Sequence, residues 1–177
     1  MTQTILIAGI GNIFLGDDAF GVDVALSLSK RKLPDCVSVK DFGIRGFDLA
    51  YSLLDPWDAV ILVDALSRGT PPGTLFVIEP TIPGPGGPAS PDMAMNPHGM
   101  DPVRVLALAA SMGPISAQVF LVGCEPNDFG DELEGRMGLS PPVQAAVKEA
   151  SNIIEDLVGR ILATERMCPS QLQIVER

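Results

Sequence analysis

"ILIAGIGNIFLGDDAFGVDVA", residues 5–25, carries an apolar run into a glycine-rich turn and out into a helical pattern. The segment from Thr4 to Gly9 is short, nearly all apolar and closed by glycine, which marks a parallel strand buried on both faces. Beyond the turn a helix is expected from about Asp18 to Lys30, with Phe20, Val24, Leu26 and Leu28 among its apolar positions. Strand, glycine turn and helix in that order open an α/β fold. Turns of this kind usually cradle phosphate, yet this one ends in two carboxylates, Asp17 and Asp18.

The same beat continues along the chain. Strands are expected in "CVSVKDFG" (36–43), "AVILVDA" (59–65), "GTLFVIEP" (73–80) and "AQVFLVGCEP" (117–126). Helices are expected in "GFDLAYSLL" (46–54), "DPVRVLALAASM" (101–112) and from about Pro141 to Thr164. The alternation predicts a three-layer α/β sandwich, with about five mostly parallel, twisted strands and helices on both faces. Residues 1–164 form one domain in this reading, and 165–177 a tail of weak periodicity that frays. Two segments break the pattern. Residues 80–97, "PTIPGPGGPASPDMAMNP", are too rich in Pro and Gly and too long for an ordinary connection, which predicts a mobile lid or disorder. Residues 125–138, "EPNDFGDELEGRMG", form an acidic loop.

Composition narrows the function. Hydrophobic residues are 46% and charged residues 19%, a globular balance, and no apolar run reaches the ~18 residues of a membrane span. Met1-Thr2-Gln3-Thr4 has no basic residue ahead of the first apolar run, so it does not read as a signal peptide, and a cytoplasmic, monomeric protein is expected. A formal charge of -10 with no basic stripe argues against nucleic acid, whose binding draws on Lys and Arg displacing counterions. Cys36, Cys124 and Cys168 are odd in number and widely spaced, which fits reduced thiols and neither a disulfide framework nor a CxxC metal motif.

Ligands of open α/β sheets bind outside the carboxyl ends of the strands. The first strand delivers Asp17 and Asp18 there, the second Asp41, the third Asp64 and the fifth Cys124 and Glu125. His98, the sole histidine, closes the Pro/Gly segment just ahead of a helix. A dinucleotide site fits poorly: the third glycine of G-x-G-x-x-G is Phe14, and acids at a helix start repel pyrophosphate. Helix capping accounts for one aspartate of the turn but not for Asp64. Two carboxylates and an imidazole from separate segments would suit a divalent transition metal with open positions. A rival is a nucleophilic trio of Cys124, His98 and Asp64. It is disfavoured because a reactive thiol wants an electropositive setting and this one adjoins Glu125.

"GIGNIFLGDDAFG" (9–21), "VILVDA" (60–65), "NPHGMD" (96–101), "VFLVGCEP" (119–126) and "MGLSPPV" (137–143) together resemble the nickel-iron hydrogenase maturation endopeptidases, over about Ile5 to Val147. The resemblance implies an endopeptidase that removes the C-terminal peptide of a hydrogenase large-subunit precursor after nickel insertion. It implies that Asp18, Asp64 and His98 engage nickel presented by that precursor, as metal ligands and as the catalytic set. Gly9 and Gly11 would then supply the tight turn, Gly21 close helix packing, and Asp17 the helix cap. Asp17 and Asp41 are the nearest candidates for a general base. One departure is "DFGIRG" (41–46), where many members carry Asp-Gly-Gly-Thr-x-Gly, so that Phe42, Ile44 and Arg45 alter the rim of the site. Two other readings stay open: a non-catalytic flavodoxin-like module that senses a metal or ligand at the same edge, and a cysteine hydrolase using Cys124.

Overall fold

The computed structural model describes residues 3–82, 101–130 and 134–164. Residues 83–97 of the Pro/Gly segment 80–97 and the tail from 165 lie outside the described residues. Strand β1 (Ile5–Ile10) is followed by a 3-10 turn (Gly16–Ala19), helix α1 (Phe20–Ser29), strand β2 (Val37–Gly43) and helix α2 (Gly46–Ser52). Strand β3 (Ala59–Ala65), strand β4 (Leu75–Ile78), helix α3 (Pro102–Met112), strand β5 (Gln118–Cys124) and helix α4 (Pro141–Thr164) complete the order.

The five strands form one sheet in the order β2-β1-β3-β5-β4, parallel except for the short antiparallel edge strand β4. β1 and β3 are buried at every residue, which is why both read as unbroken apolar runs. Phe20, Val24 and Leu28 of α1, with Val147, Ile154 and Val158 of α4, pack on the face formed by Ile5, Ile7, Ile61 and Val63. Leu49 and Leu53, with Leu106 and Ala109 of α3, cover the opposite face formed by Leu6, Ala8, Val60 and Leu62. The alternation of residues along β3 therefore assigns Asp64 to the side of Val60 and Leu62.

This order has a consequence for ligands. From β1 the chain moves outward to β2 and then crosses back to β3, so the direction of winding reverses between β1 and β3. A crevice opens at the carboxyl ends of these two strands. Asp18 follows one of them and Asp64 ends the other. Glycine lets α1 sit close beneath that crevice: a Cβ on Gly21 would lie 2.1 Å from the Val63 carbonyl oxygen and 2.3 Å from that of Ile10. Gly11 has φ +138°, and a Cβ there would fall 1.7 Å from the Asp18 carbonyl oxygen, so only glycine lets the turn fold back on itself.

Candidate active site

Asp17 and Asp18 sit in the 3-10 turn, ahead of α1 rather than in its first turn. Being adjacent, they are sent in different directions. The Asn12 N–H donates to Asp18 Oδ2 at 2.7 Å, which closes the glycine turn over a partly buried carboxylate. Asp64 is 4% exposed, and its Oδ1 accepts the Ala65 N–H at 2.9 Å. These bonds engage one oxygen of each side chain.

Both acids are pushed toward their neutral forms. Burial raises the Asp18 pKa against the help of the Asn12 hydrogen bond. Burial raises Asp64 further, the negative charge of Asp18 adds to it, and Asp101 contributes as well. A pair of desolvated, mutually repelling carboxylates gains most from a cation placed between them. Among the described residues, no group of three His, Cys, Asp or Glu side chains capable of holding a metal is present. His98 lies outside the described residues. Asp101, three positions later, accepts the Val103 N–H as the N-cap of α3 and is near enough for its charge to act on Asp64.

The other acids at this edge do different work. Asp17 does not cap α1, whose N-cap Ala19 makes no side-chain bond. Its carboxylate is fully buried: Oδ2 accepts from the Asn127 N–H, the Asp128 N–H and the Ser140 hydroxyl, and Oδ1 from the Ser140 N–H at 2.6 Å. Burial alone would raise its pKa, but the donors from Ser140, Asn127 and Asp128 outweigh this and lower it. A fully buried carboxylate that already accepts four hydrogen bonds is poorly placed for general-base work. Glu125 is likewise occupied. It accepts from the backbone of Arg68 and Gly69 and from the Ser67 and Thr70 hydroxyls, wrapping the loop after β3. Despite the cost of burial these donors hold it at about 2. Asp41 is exposed at the end of β2. In "DFGIRG" the Arg45 guanidinium folds back onto the carbonyls of Asp41 and Phe42, so Ile44, 65% exposed, is what that departure presents on the rim.

Cys124 is fully buried in the core cluster of α1 and α4, with its thiol 3.7 Å from the Glu125 carbonyl oxygen. Burial, then Asp17, then Glu125, push the thiol up to about 12. A thiol that stays protonated at neutral pH is no nucleophile.

The residues that sequence reasoning placed differently are those whose partners are distant. Ser140 and the two Pro residues after it read as a helix start, and α4 begins there. Its bond to Asp17 crosses 123 positions and leaves no local signal. "DP" at 101–102 announces a capped helix, but nothing local says that the cap lies beside Asp64.

Comparison with known proteins gives the family of the chain. A family model described as hydrogenase maturation protease (HycI) matches residues 22–157. The chain is 32% identical over 148 residues to the hydrogenase 2 maturation protease of Escherichia coli (strain K12), covering 82% of this chain and 85% of the relative. Its fold superposes on the hydrogenase maturating endopeptidase HybD from E. coli with a TM-score of 0.67 at 27% identity, over 89% of this chain and 93% of the other. A hydrogenase 2 maturation peptidase from a Thaumarchaeota archaeon gives a TM-score of 0.65 at 29% identity, over 89% and 99%. The chain belongs to the hydrogenase maturation protease family.

Proposed function

We propose that this peptidase removes the C-terminal peptide of a nickel-iron hydrogenase large-subunit precursor after nickel insertion, and that it recognises the nickel through Asp18, Asp64 and His98. The observation that carries the reading is the pair Asp18 and Asp64. One follows and the other ends a strand that flanks the crevice, burial raises the pKa of both, and among the described residues each keeps an oxygen outside the bonds that hold it. The charge of Asp101, three positions after His98 in the chain, acts on Asp64. Two carboxylates and a neutral imidazole form a donor set suited to a divalent transition metal.

Asp18, Asp64 and His98 would hold the precursor's nickel, which would supply Lewis-acid chemistry and a bound water of lowered pKa. Asp18 and Asp64 bring negative charge that the bound metal relieves, so binding energy depends on its presence. The Asn12 and Ala65 backbone N–H groups fix both carboxylates before the substrate arrives, which limits reorganisation at the moment of reaction. A protein-sized substrate is supported by the rim. Ile13, Phe14, Ile44, Phe47, Phe129 and Met137 lie on the loops and helix start at this edge, and all are exposed. Apolar side chains gathered around a polar site mark a surface that binds another chain. The enzyme itself is a monomer without resident nickel in this reading. Among the described residues no helix is long and apolar enough to cross a membrane.

The test is to incubate the purified chain with nickel-loaded and nickel-free precursor and to measure product masses. Conversion of the loaded precursor alone, to one shorter chain and one C-terminal peptide, is the expected result. Equal cleavage of both forms would remove nickel from the account. Metal binding without any cleavage would favour the sensing module.

A further inference from the structure

We propose that Asp17 is a positioning residue for Asp18, fastening the glycine turn to the loop 126–140 so that the Asp18 carboxylate is held against the Asn12 N–H at the mouth of the crevice. The inference rests on the reading that Asp18 engages the substrate.

Four hydrogen bonds converge on the Asp17 carboxylate from residues more than 100 positions away, at 2.6 to 3.1 Å. Three further backbone bonds lace the same two segments: Gly16 N–H to Arg136 O at 2.7 Å, Asp17 N–H to Asp128 O at 3.2 Å and Arg136 N–H to Phe14 O at 2.8 Å. Arg136 also holds Asp128 in an ion pair at 2.7 Å. The turn that bears Asp18 is thus tied to residues 127–128, 136 and 140.

This matters because, among side chains of the 3-10 turn, the Asp17 carboxylate is the one that gathers bonds from distant segments. Ile13 and Phe14 are exposed, and the 3-10 turn has no side-chain cap. Adjacent Cα atoms are 3.8 Å apart across a trans peptide, so a shift at Asp17 passes directly to Asp18. Among the described residues one hydrogen bond, from Asn12, orients the Asp18 side chain, and its donor belongs to the same turn. Asp17 is fully buried and cannot touch substrate; it acts through its neighbour. Aspartate suits the task because one side chain receives four donors. Asparagine would present an NH2 to donors already in place, which breaks bonds at the same volume.

Asp17→Asn and Ser140→Ala test the proposal. Ser140→Ala removes one of the four bonds and keeps the fold if Asp17→Asn does not. Two quantities are read at a temperature where circular dichroism shows full folding: the Asn12 amide resonance with its hydrogen exchange, and kcat and KM on nickel-loaded precursor. Asp17→Asn is expected to move the Asn12 resonance, to speed its exchange at least tenfold and to lower kcat at least tenfold with KM within twofold. Ser140→Ala is expected to fall between it and the parent. An unmoved Asn12 amide, or a kcat equal to the parent's in a folded variant, overturns the proposal. If Asp18→Asn processes at the parent rate, the reading of the site fails instead, and the Asn12 amide alone then decides whether Asp17 positions its neighbour.

Discussion

Gly21→Ala isolates the close approach of α1 to the sheet, on which the position of the acidic turn depends. The added Cβ would lie 2.1 Å from the Val63 carbonyl oxygen, 2.3 Å from the Ile10 carbonyl oxygen and 2.7 Å from the Ile10 nitrogen. All three are backbone atoms of central strands, so no side chain can swing aside. Ordinary contact begins near 3.4 Å, so the helix must retreat by about 1.3 Å. Overpacking of this kind costs roughly 3 kcal/mol, and a domain of this size loses about 2–4 °C of Tm per kcal/mol, so a fall of roughly 6–12 °C is expected. Helix α1 starts two residues after Asp18, and a displacement near 1 Å at a reacting group costs on the order of 10²-fold in rate. Gly159→Ala is the control. It lies in α4, has nothing within 4 Å of its added Cβ, and should gain about 0.5–1 kcal/mol through helix propensity. Thermal unfolding and precursor processing are measured on both variants. A Gly21→Ala protein that melts within about 2 °C of the parent and processes normally would refute the claim that this glycine sets the height of the site.

Other consequences concern single groups. Asp64→Asn should raise Tm at neutral pH, since an acid whose folded pKa is raised stabilises fully below its unfolded pKa and loses that contribution as pH rises through the folded one; asparagine keeps the Ala65 bond without the loss. The gap should therefore widen with increasing pH in thermal scans, and a constant gap would contradict the stated cause. Glu125→Gln behaves oppositely: the contribution of a depressed acid is present above its ordinary 4.5 and disappears as pH falls to about 2, so the variant's deficit in Tm should close over that range. Cys124→Ser should still process precursor, and Cys124 of the parent should resist alkylation near pH 8 because its thiol is held at about 12. Rapid inactivation by alkylation at Cys124 would restore the cysteine reading.

The parts of this molecule that can be read from sequence are those decided by neighbouring residues. "AVILVDA" is β3 residue for residue, and α4 starts at the Pro after Ser140, because burial on both faces and helix-start chemistry leave local patterns. The glycine positions were legible too, since a strand entering a helix through Gly9, Gly11 and Gly21 has few steric solutions. Asp17 was not. Capping preference assigns it to α1, whereas a 3-10 turn intervenes and the donors come from Asn127, Asp128 and Ser140. Glu125 reads as one more acid delivered to the strand ends, but Arg68, Gly69 and Thr70 consume it. In both cases a carboxylate at a strand end is either a ligand or a clamp according to which distant N–H groups reach it. Topology decides that, and residue type does not.

The central claim is that Asp18, Asp64 and His98 act as one metal-reading set. Its most direct test is the mass of nickel-loaded precursor after incubation with the parent or with Asp18→Ala, Asp64→Ala or His98→Ala, each shown to be folded. The account predicts one shorter product with the parent, intact precursor with all three variants, and Tm values for the Asp18 and Asp64 variants at or above the parent's, since both carboxylates are held in the fold against their own desolvation. Processing at the parent rate by His98→Ala or Asp64→Ala would contradict it.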